Sequence, residues 1–372
     1  MRICYIANAG SVHTQRWVKY FADKGHEVHL ISPRPFGDNN MEAVKLYVLK
    51  RVRPQIRIIS YVMNLPLYVI QVGRLLKRVK PDILHAHYIT NSGLLGALTG
   101  FHPFVLSAWG SDVLIAPKEF KVMKWIVNYA LRRADLITCG GENTKEEMTK
   151  LRADVKKVHL ISHAVDTRSF SPAQKSEALR RSLKISGSPT VISIRNLSPL
   201  YDVESLVKAI PLVRRQIPEV KFIIAGDGEQ KDYLEKLASS LGDANSVRFV
   251  GWIPHEELPK YLASADVYVS TSLSDGGISV STLEAMACGL PAVITDVGDN
   301  RRWVKEGVNG FIVPVKSPNA LALKIVYLLK NKNAKDRFAR TNRQVVEEKA
   351  NYEKEMQKME KLYKELIGGN RE

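Results

Sequence analysis

The sequence predicts an α/β protein made of two doubly wound domains, and three observations carry that prediction. The chain has 372 residues, 45% of them apolar, enough to bury two cores. Short apolar runs of strand character alternate with helical segments in two successive series. The alternation is interrupted once, at HAVDTRSFSPAQKS (163–176), where Pro172 and polar residues break the pattern.

The first series opens with the strand RICYIA (2–7), the helix HTQRWVKYFADKG (13–25) with Gly25 as its stop, and the strand EVHLIS (27–32). Strands DILHAHY (82–88), FVLSAWG (104–110) and DLITCG (135–140) follow, the first leading into NSGLLGALTG and the last into ENTKEEMTKL. Runs apolar on both faces suit a parallel sheet covered by helices. The second series starts with PTVISIRNL near residue 189 and continues through a helix (202–215), KFIIAGDGE (221–229) and a helix (231–241). VRFVGWI (247–253), a helix from Pro254 to about Ala263, DVYVSTS (266–272), a helix holding Glu284, AVITDVG (292–298) and GFIVPV (310–315) complete it. A charged, helix-forming tail runs from about 333 to 367 with no strand after it. The expected domains are 1–165, joined by a C-terminal helix at about 350–372, and 166–349, with ligands at the strand ends in a cleft between them.

Composition removes several function classes. Cys4, Cys139 and Cys288 lie far apart in no metal or redox spacing and read as core thiols of a reducing compartment. MRICYIANAG turns polar too soon for a signal peptide, and LPLYVIQVG (65–73) covers only about half a bilayer, so a cytoplasmic protein is expected. The net charge of +17 is uneven: residues 1–165 hold 24 Lys+Arg against 12 Asp+Glu (+12), leaving 31 against 26 (+5) for the rest. That excess fits a polyanionic or membrane-surface partner for the first half, or a Lys/Glu-rich solubilising surface.

Four strand ends carry unusual polar content. Glu284 stands in SDGGISVSTLEAMACGLPAVITDVG (274–298), about two turns into a helix flanked by small apolar residues. Gly276-Gly277 lets backbone approach a ligand, and the helix behind offers free N–H groups to phosphate. A carboxylate there suits sugar hydroxyls; an exposed helix residue is the plainer alternative. Arg195 ends the strand VISIR and reads as a fork for phosphate, or as a surface ion pair. His85 and His87 are expected on opposite faces of their strand, so that only His87 serves a site, and a zinc centre is not expected. Gly10-Ser11 joins the first strand to its helix, but G-x-G-x-x-G is missing there and at IAGDGE (224–229), and no Walker A loop occurs. Dinucleotide-dependent oxidoreductase and ATPase readings lose their support.

Taken together, VRFVGWIP (247–254), SADVYVSTS (264–272), STLEAMACGLPAVITDVGDN (281–300) and EGVNGFIVP (306–314) resemble the donor-domain signature of the retaining GT-B glycosyltransferases of family 4. KGHEVHLIS (24–32), PDILHAHY (81–88), AWGSDV (108–113) and HAVDTRSFSP (163–172) are similar to its N-terminal half. The resemblance implies the GT-B fold, two Rossmann-like domains facing across a cleft. It assigns Glu284 to the ribose of a nucleotide-sugar donor, and the loop Gly277, Ile278, Ser279, Val280 and Ser281 to the pyrophosphate and sugar. Arg195, Gly10 and Ser11 would bind the diphosphate, Ile253 would pack the base, and His87 would bond the transferred sugar. The sequence departs from the pattern in four places. Gly276 stands where an acid is usual, with Asp275 one residue earlier as a substitute; Tyr201-Asp202 stands near a usual lysine; Trp109 and Ala164 replace His and Gly.

The implied reaction transfers a sugar from a UDP- or GDP-linked donor to a glycan or lipid-linked hydroxyl, with retention and without a metal or other cofactor. Two alternatives share the scaffold, a sugar-nucleotide epimerase and a non-catalytic sugar-nucleotide or membrane-binding protein. The segment 49–80, with cationic clusters among Tyr61, Met63, Leu65, Leu67 and Tyr68, is either a surface for anionic lipid at the cytoplasmic membrane face or an amphipathic helix covering the sheet. Nucleic acid is not expected as a partner.

Overall fold

The computed structural model describes residues 1–36, 41–51 and 57–369, with the side chains of 57–63 left out. It divides into two compact units, Met1–Ser162 with Met356–Glu372, and His163–Glu355.

The first unit holds a seven-stranded sheet in the order β3-β2-β1-β4-β5-β6-β7. Its strands are β1 (Arg2–Ile6), β2 (Glu27–Ser32), β3 (Val44–Val48), β4 (Ile83–His87), β5 (Phe104–Ala108), β6 (Leu136–Cys139) and β7 (Val158–Leu160). All neighbouring pairs are parallel. The central strands β4 and β5 are buried at every residue, as expected of strands covered on both faces. The helix Val12–Asp23 ends where predicted: Gly25 N–H bonds Ala22 O at 2.9 Å and His26 N–H bonds Phe21 O at 3.0 Å, the paired closure of a Schellman stop.

The second unit holds a six-stranded parallel sheet in the order β10-β9-β8-β11-β12-β13. Its strands are β8 (Thr190–Ile194), β9 (Lys221–Ala225), β10 (Val247–Gly251), β11 (Val267–Ser270), β12 (Ala292–Thr295) and β13 (Gly310–Val313). Both sheets reverse direction of growth once, between β1 and β4 and between β8 and β11. Loops leaving the carboxyl ends there diverge and leave room for a ligand.

Several elements escape the sequence reading: β3, β7, and the helices Lys121–Arg133 and Pro318–Lys330. The tail is two helices, Lys332–Lys349 and Tyr352–Gly369, divided at Asn351. Val165 N–H bonds Ala350 O at 2.9 Å and Tyr352 N–H bonds Val165 O at 3.1 Å, so the outgoing and returning strands of chain lie side by side at the edge of the second unit. The three cysteines are buried and form no disulfide among the described residues, and burial pushes the Cys4 and Cys288 thiols up to about 12.

The segment 49–80 forms the helix Arg57–Val79. Val72 and Leu76 are buried in the core of the first unit, and Leu65, Tyr68, Val69 and Leu75 pack against it. Arg74, Lys77 and Arg78 are exposed. The described part of this helix therefore covers the sheet with its apolar face; the side chains of Tyr61 and Met63 lie outside the described residues.

Candidate functional site

In the second unit the polar residues gather where β8 and β11 diverge. Arg195, one residue past β8, is 8% exposed. Its Nη1 donates to Ser281 Oγ at 2.8 Å, and Nη2 donates to Ser272 Oγ and to Asp275 Oδ1, each at 2.7 Å. The Tyr201 ring lies against the guanidinium, 4.5 Å from its centroid to Cζ. Burial alone would lower the Arg195 pKa, but Asp275, Tyr268 and Tyr201 outweigh it and hold the group charged. Its Nε has no hydrogen-bond partner among the described residues.

Two glycine turns fix this geometry. Gly226 adopts φ +131°, and a Cβ there would come within 2.1 Å of the Arg195 carbonyl oxygen. Leu197 N–H bonds Asp227 O at 2.9 Å, so IAGDGE is a backbone clamp on the β8 end rather than a phosphate loop. Gly298, at φ +55°, does the same for the next loop: a Cβ would meet Gly277 O at 2.5 Å and Asp275 O at 2.6 Å. Asp299 N–H bonds Gly277 O at 3.1 Å from the same side.

That loop feeds the helix Val280–Ala287, capped by Ser279, whose Oγ accepts from Thr282 N–H. The Val280 and Ser281 amides at its start have no acceptor among the described residues. Ser281 Oγ accepts from Arg195 and from Tyr268 OH at 3.0 Å, which ties the helix start to the guanidinium. Ile278 is buried in the core and anchors the loop. Glu284 is the fifth helical residue, just over one turn in rather than two, and is 4% exposed. His255 Nε2 donates to Glu284 Oε1 at 2.9 Å, and the His255 ring lies 5.2 Å from that of Phe170. Ile253, two residues before His255, is buried.

His255, Ser272 and Tyr201 have functional contacts the sequence reading missed. For Tyr201 a signal existed: it stands near the position of the missing lysine, and the structure places its ring on Arg195. Ser272 and His255 carried none. Asp275 is brought to the site, but as the counter-ion of Arg195.

The first unit gathers a second cluster where β1 and β4 diverge. The His85 and His87 ring centroids lie 4.6 Å apart, so the expectation of opposite faces was wrong. Residues two apart in a strand share a face. His85 is fully buried, bonded to Tyr363 OH through Nδ1 and lying 2.7 Å from Ser107 Oγ through Nε2. Tyr363 OH also lies 3.1 Å from Tyr5 OH, which secures the last helix to this sheet. His87 is 3% exposed, neither ring nitrogen has a hydrogen-bond partner among the described residues, and burial depresses its pKa to about 3. Trp17 and Trp109 flank it, each 5.1 Å between ring centroids.

Trp109 is placed by Asp112, which accepts from the backbone N–H groups of Ile89 (2.8 Å), Trp109 (3.1 Å) and Gly110 (2.9 Å). Burial raises the Asp112 pKa to about 6 despite those bonds. Tyr88, next to His87, holds a strained φ of +76°, with its hydroxyl 3.1 Å from Ser111 Oγ. Gly10 is exposed and Ser11 is the N-cap of the helix Val12–Asp23, where it makes no side-chain cap bond.

Comparison with known proteins agrees with this arrangement. Residues 175–345 match the family described as Glycosyl transferases group 1, and residues 2–140 match Glycosyl transferase 4-like. A Mycolicibacterium smegmatis GDP-mannose-dependent alpha-(1-6)-phosphatidylinositol monomannoside mannosyltransferase is 30% identical over 55% of this chain and 56% of its own length. The chain thus spans about half the length of that relative. The sucrose-phosphate synthase of Thermosynechococcus elongatus shares the fold with a TM-score of 0.86, 20% identity and 99% coverage of each chain. Anabaena HepE in complex with UDP does so with a TM-score of 0.80 and 20% identity, covering 98% of this chain and 100% of its own. With both halves matched in order and the whole fold shared, the chain belongs to the group 1 glycosyltransferases with the GT-B fold.

Proposed function

We propose that the protein transfers a sugar from a nucleoside diphosphate sugar to an acceptor hydroxyl. The observation that carries this reading is the buried guanidinium of Arg195 beside the open amides of Val280 and Ser281, one helical turn from the buried carboxylate of Glu284. A diphosphate requires concentrated, preorganised positive charge, and the guanidinium with a helix N-terminus supplies it. Glu284 offers Oε2 to ribose hydroxyls while His255 holds Oε1. Ile253, buried two residues past β10, is assigned to the base. As the sugar–phosphate bond breaks, charge grows on the leaving diphosphate, and these donors stabilise it. The proposed stereochemical course is retention, with the acceptor attacking the face the diphosphate leaves and giving its proton to a phosphate oxygen.

His87 contributes as a neutral hydrogen-bonding ring. With its pKa near 3 it carries no charge at neutral pH, so we assign it to a hydroxyl of the transferred sugar rather than to acid catalysis. Asp275 is assigned to Arg195 rather than to the sugar. The donor base, sugar and acceptor are read by analogy: the mycobacterial relative is GDP-mannose-dependent by name, and the Anabaena relative binds UDP.

The test is incubation of the full chain with UDP- and GDP-sugars, first without acceptor, measuring free nucleotide and epimeric sugar. Slow nucleotide release is expected, accelerated by a matching acceptor. Arg195→Ala and Glu284→Ala should each cost about 2–3 kcal/mol of transition-state binding, roughly 30- to 150-fold in kcat/KM. An epimer as product, or undiminished turnover in either variant, would overturn the proposal.

A further inference from the structure

The helix Lys121–Arg133 buries Ile126, Val127, Ala130 and Leu131 in the core of the first unit. Its other face is not that of an ordinary solvent-facing helix. Phe120 is 59% exposed, Val122 57% and Trp125 63%. Interleaved with them, Lys118, Lys121 and Lys124 are exposed, as are Arg132 and Arg133 at the far end. The helix itself contains no acidic residue.

Two local rules are broken at its start. The N-cap is Phe120, which makes no capping bond, where Ser, Thr, Asp or Asn is preferred. The first turn carries Lys121 and Lys124, cations set against the positive end of the helix dipole. Sequences break such rules where something other than folding stability sets the residues. Three exposed apolar side chains interleaved with Lys121, Lys124 and Lys118, the last also 3.6 Å from Glu147, match the chemistry of an anionic bilayer surface. Aromatic rings settle at headgroup depth while lysine stems reach anionic phosphates.

We propose that Phe120, Val122 and Trp125, with Lys118, Lys121 and Lys124, form a docking surface for an anionic lipid bilayer, on which the first unit sits peripherally. This is a different surface from the helix Arg57–Val79, where Leu65, Tyr68, Val69, Val72, Leu75 and Leu76 go to the core and Ile70 alone among the large described apolar side chains is exposed. No helix among the described residues is long and apolar enough to cross a membrane, so attachment of this kind is superficial and salt-sensitive. The inference rests on the first unit alone and stands independently of which sugar is transferred.

The experiment is co-sedimentation of the full chain with vesicles of phosphatidylcholine alone and of phosphatidylcholine with phosphatidylglycerol. Binding is expected only with phosphatidylglycerol present, falling as salt rises. Lys118→Ala with Lys121→Ala and Lys124→Ala should weaken partitioning about five-fold per lysine, on the order of 100-fold together. Phe120→Ala with Trp125→Ala should weaken it separately, and quenching of tryptophan fluorescence by brominated lipid should vanish in Trp125→Phe. Circular dichroism melting of each variant checks that the unit stays folded. Arg74→Glu with Lys77→Glu should bind as the unaltered chain does. The proposal is overturned if the unaltered chain ignores anionic vesicles, if it binds zwitterionic ones equally, or if only the Arg74/Lys77 pair reduces binding. Capture of nucleic acid or a protein with no vesicle binding would overturn it too.

Discussion

Replacing Asp275 by Asn tests whether the Arg195–Asp275 pair organises the donor site. The contact is 2.7 Å, with side chains only 7% and 9% exposed. Two unit charges about 4 Å apart interact by about 4 kcal/mol at an effective dielectric near 20, so the pair is large enough to measure. Removing one member leaves the other buried and unmatched, at a cost of about 3–5 kcal/mol. Asparagine retains an acceptor near Nη2 and keeps part of that, so about 2 kcal/mol is expected for Asp275→Asn and about 3 kcal/mol for Arg195→Gln. The double variant should be less damaged than the sum, with a coupling of about 2 kcal/mol. Thermal unfolding of the four proteins measures this, at roughly 2–4 °C per kcal/mol for a unit of this size. Nucleoside diphosphate binding gives the second readout. Asp275→Asn removes a like charge from the phosphate site and should bind UDP or GDP more tightly. Additive stability losses would refute the pairing, and weaker nucleotide binding in Asp275→Asn would refute the assignment of Asp275 to Arg195.

Three further outcomes follow from the same geometry. His255→Ala should raise the donor KM several-fold with little change in kcat, because it frees the Glu284 carboxylate to rotate, and His255→Gln should restore part of the loss; equal effects on both constants would point to a structural defect. Gly226→Ala should lower the melting temperature and turnover together, since its Cβ would lie 2.1 Å from the Arg195 carbonyl oxygen; a neutral outcome would remove the clamp. Asp112 has a folded pKa of about 6, above its ordinary 3.8, so its stabilising contribution is complete below pH 4 and is lost as pH rises through 6, on the order of 3 kcal/mol. The stability advantage of the unaltered chain over Asp112→Asn should therefore shrink between pH 4 and 7, and a constant or growing advantage would contradict the assigned burial.

The doubly wound architecture was legible because buried parallel strands leave uninterrupted apolar runs, as in RICYIA and KFIIAGDGE. β3, VKLYV, alternates with polar residues at the sheet edge and lacks that signature, and β7 is only three residues long. The helix Lys121–Arg133 escaped notice although it is amphipathic, with exposed Val122 and Trp125 standing among its lysines and arginines. At the site, Arg195 and Glu284 were readable from placement just past a strand's carboxyl end and near a helix start. Their partners were not: Ser272 and His255 reach them across 77 and 29 residues of sequence, and such contacts are set by tertiary packing alone. The histidine pair shows a different failure. The strand was right, and a miscounted pleat sent one ring to the wrong face.

The first unit takes its last helix from residues beyond the second unit, with Tyr363 bonded to His85. During synthesis, the ribosome releases 162 residues whose core lacks one wall until some two hundred more have emerged. The second unit, continuous in sequence, is complete first. The unit begun first is thus the one completed last, and the nascent N-terminal half is the stretch that a chaperone would have longest to shield.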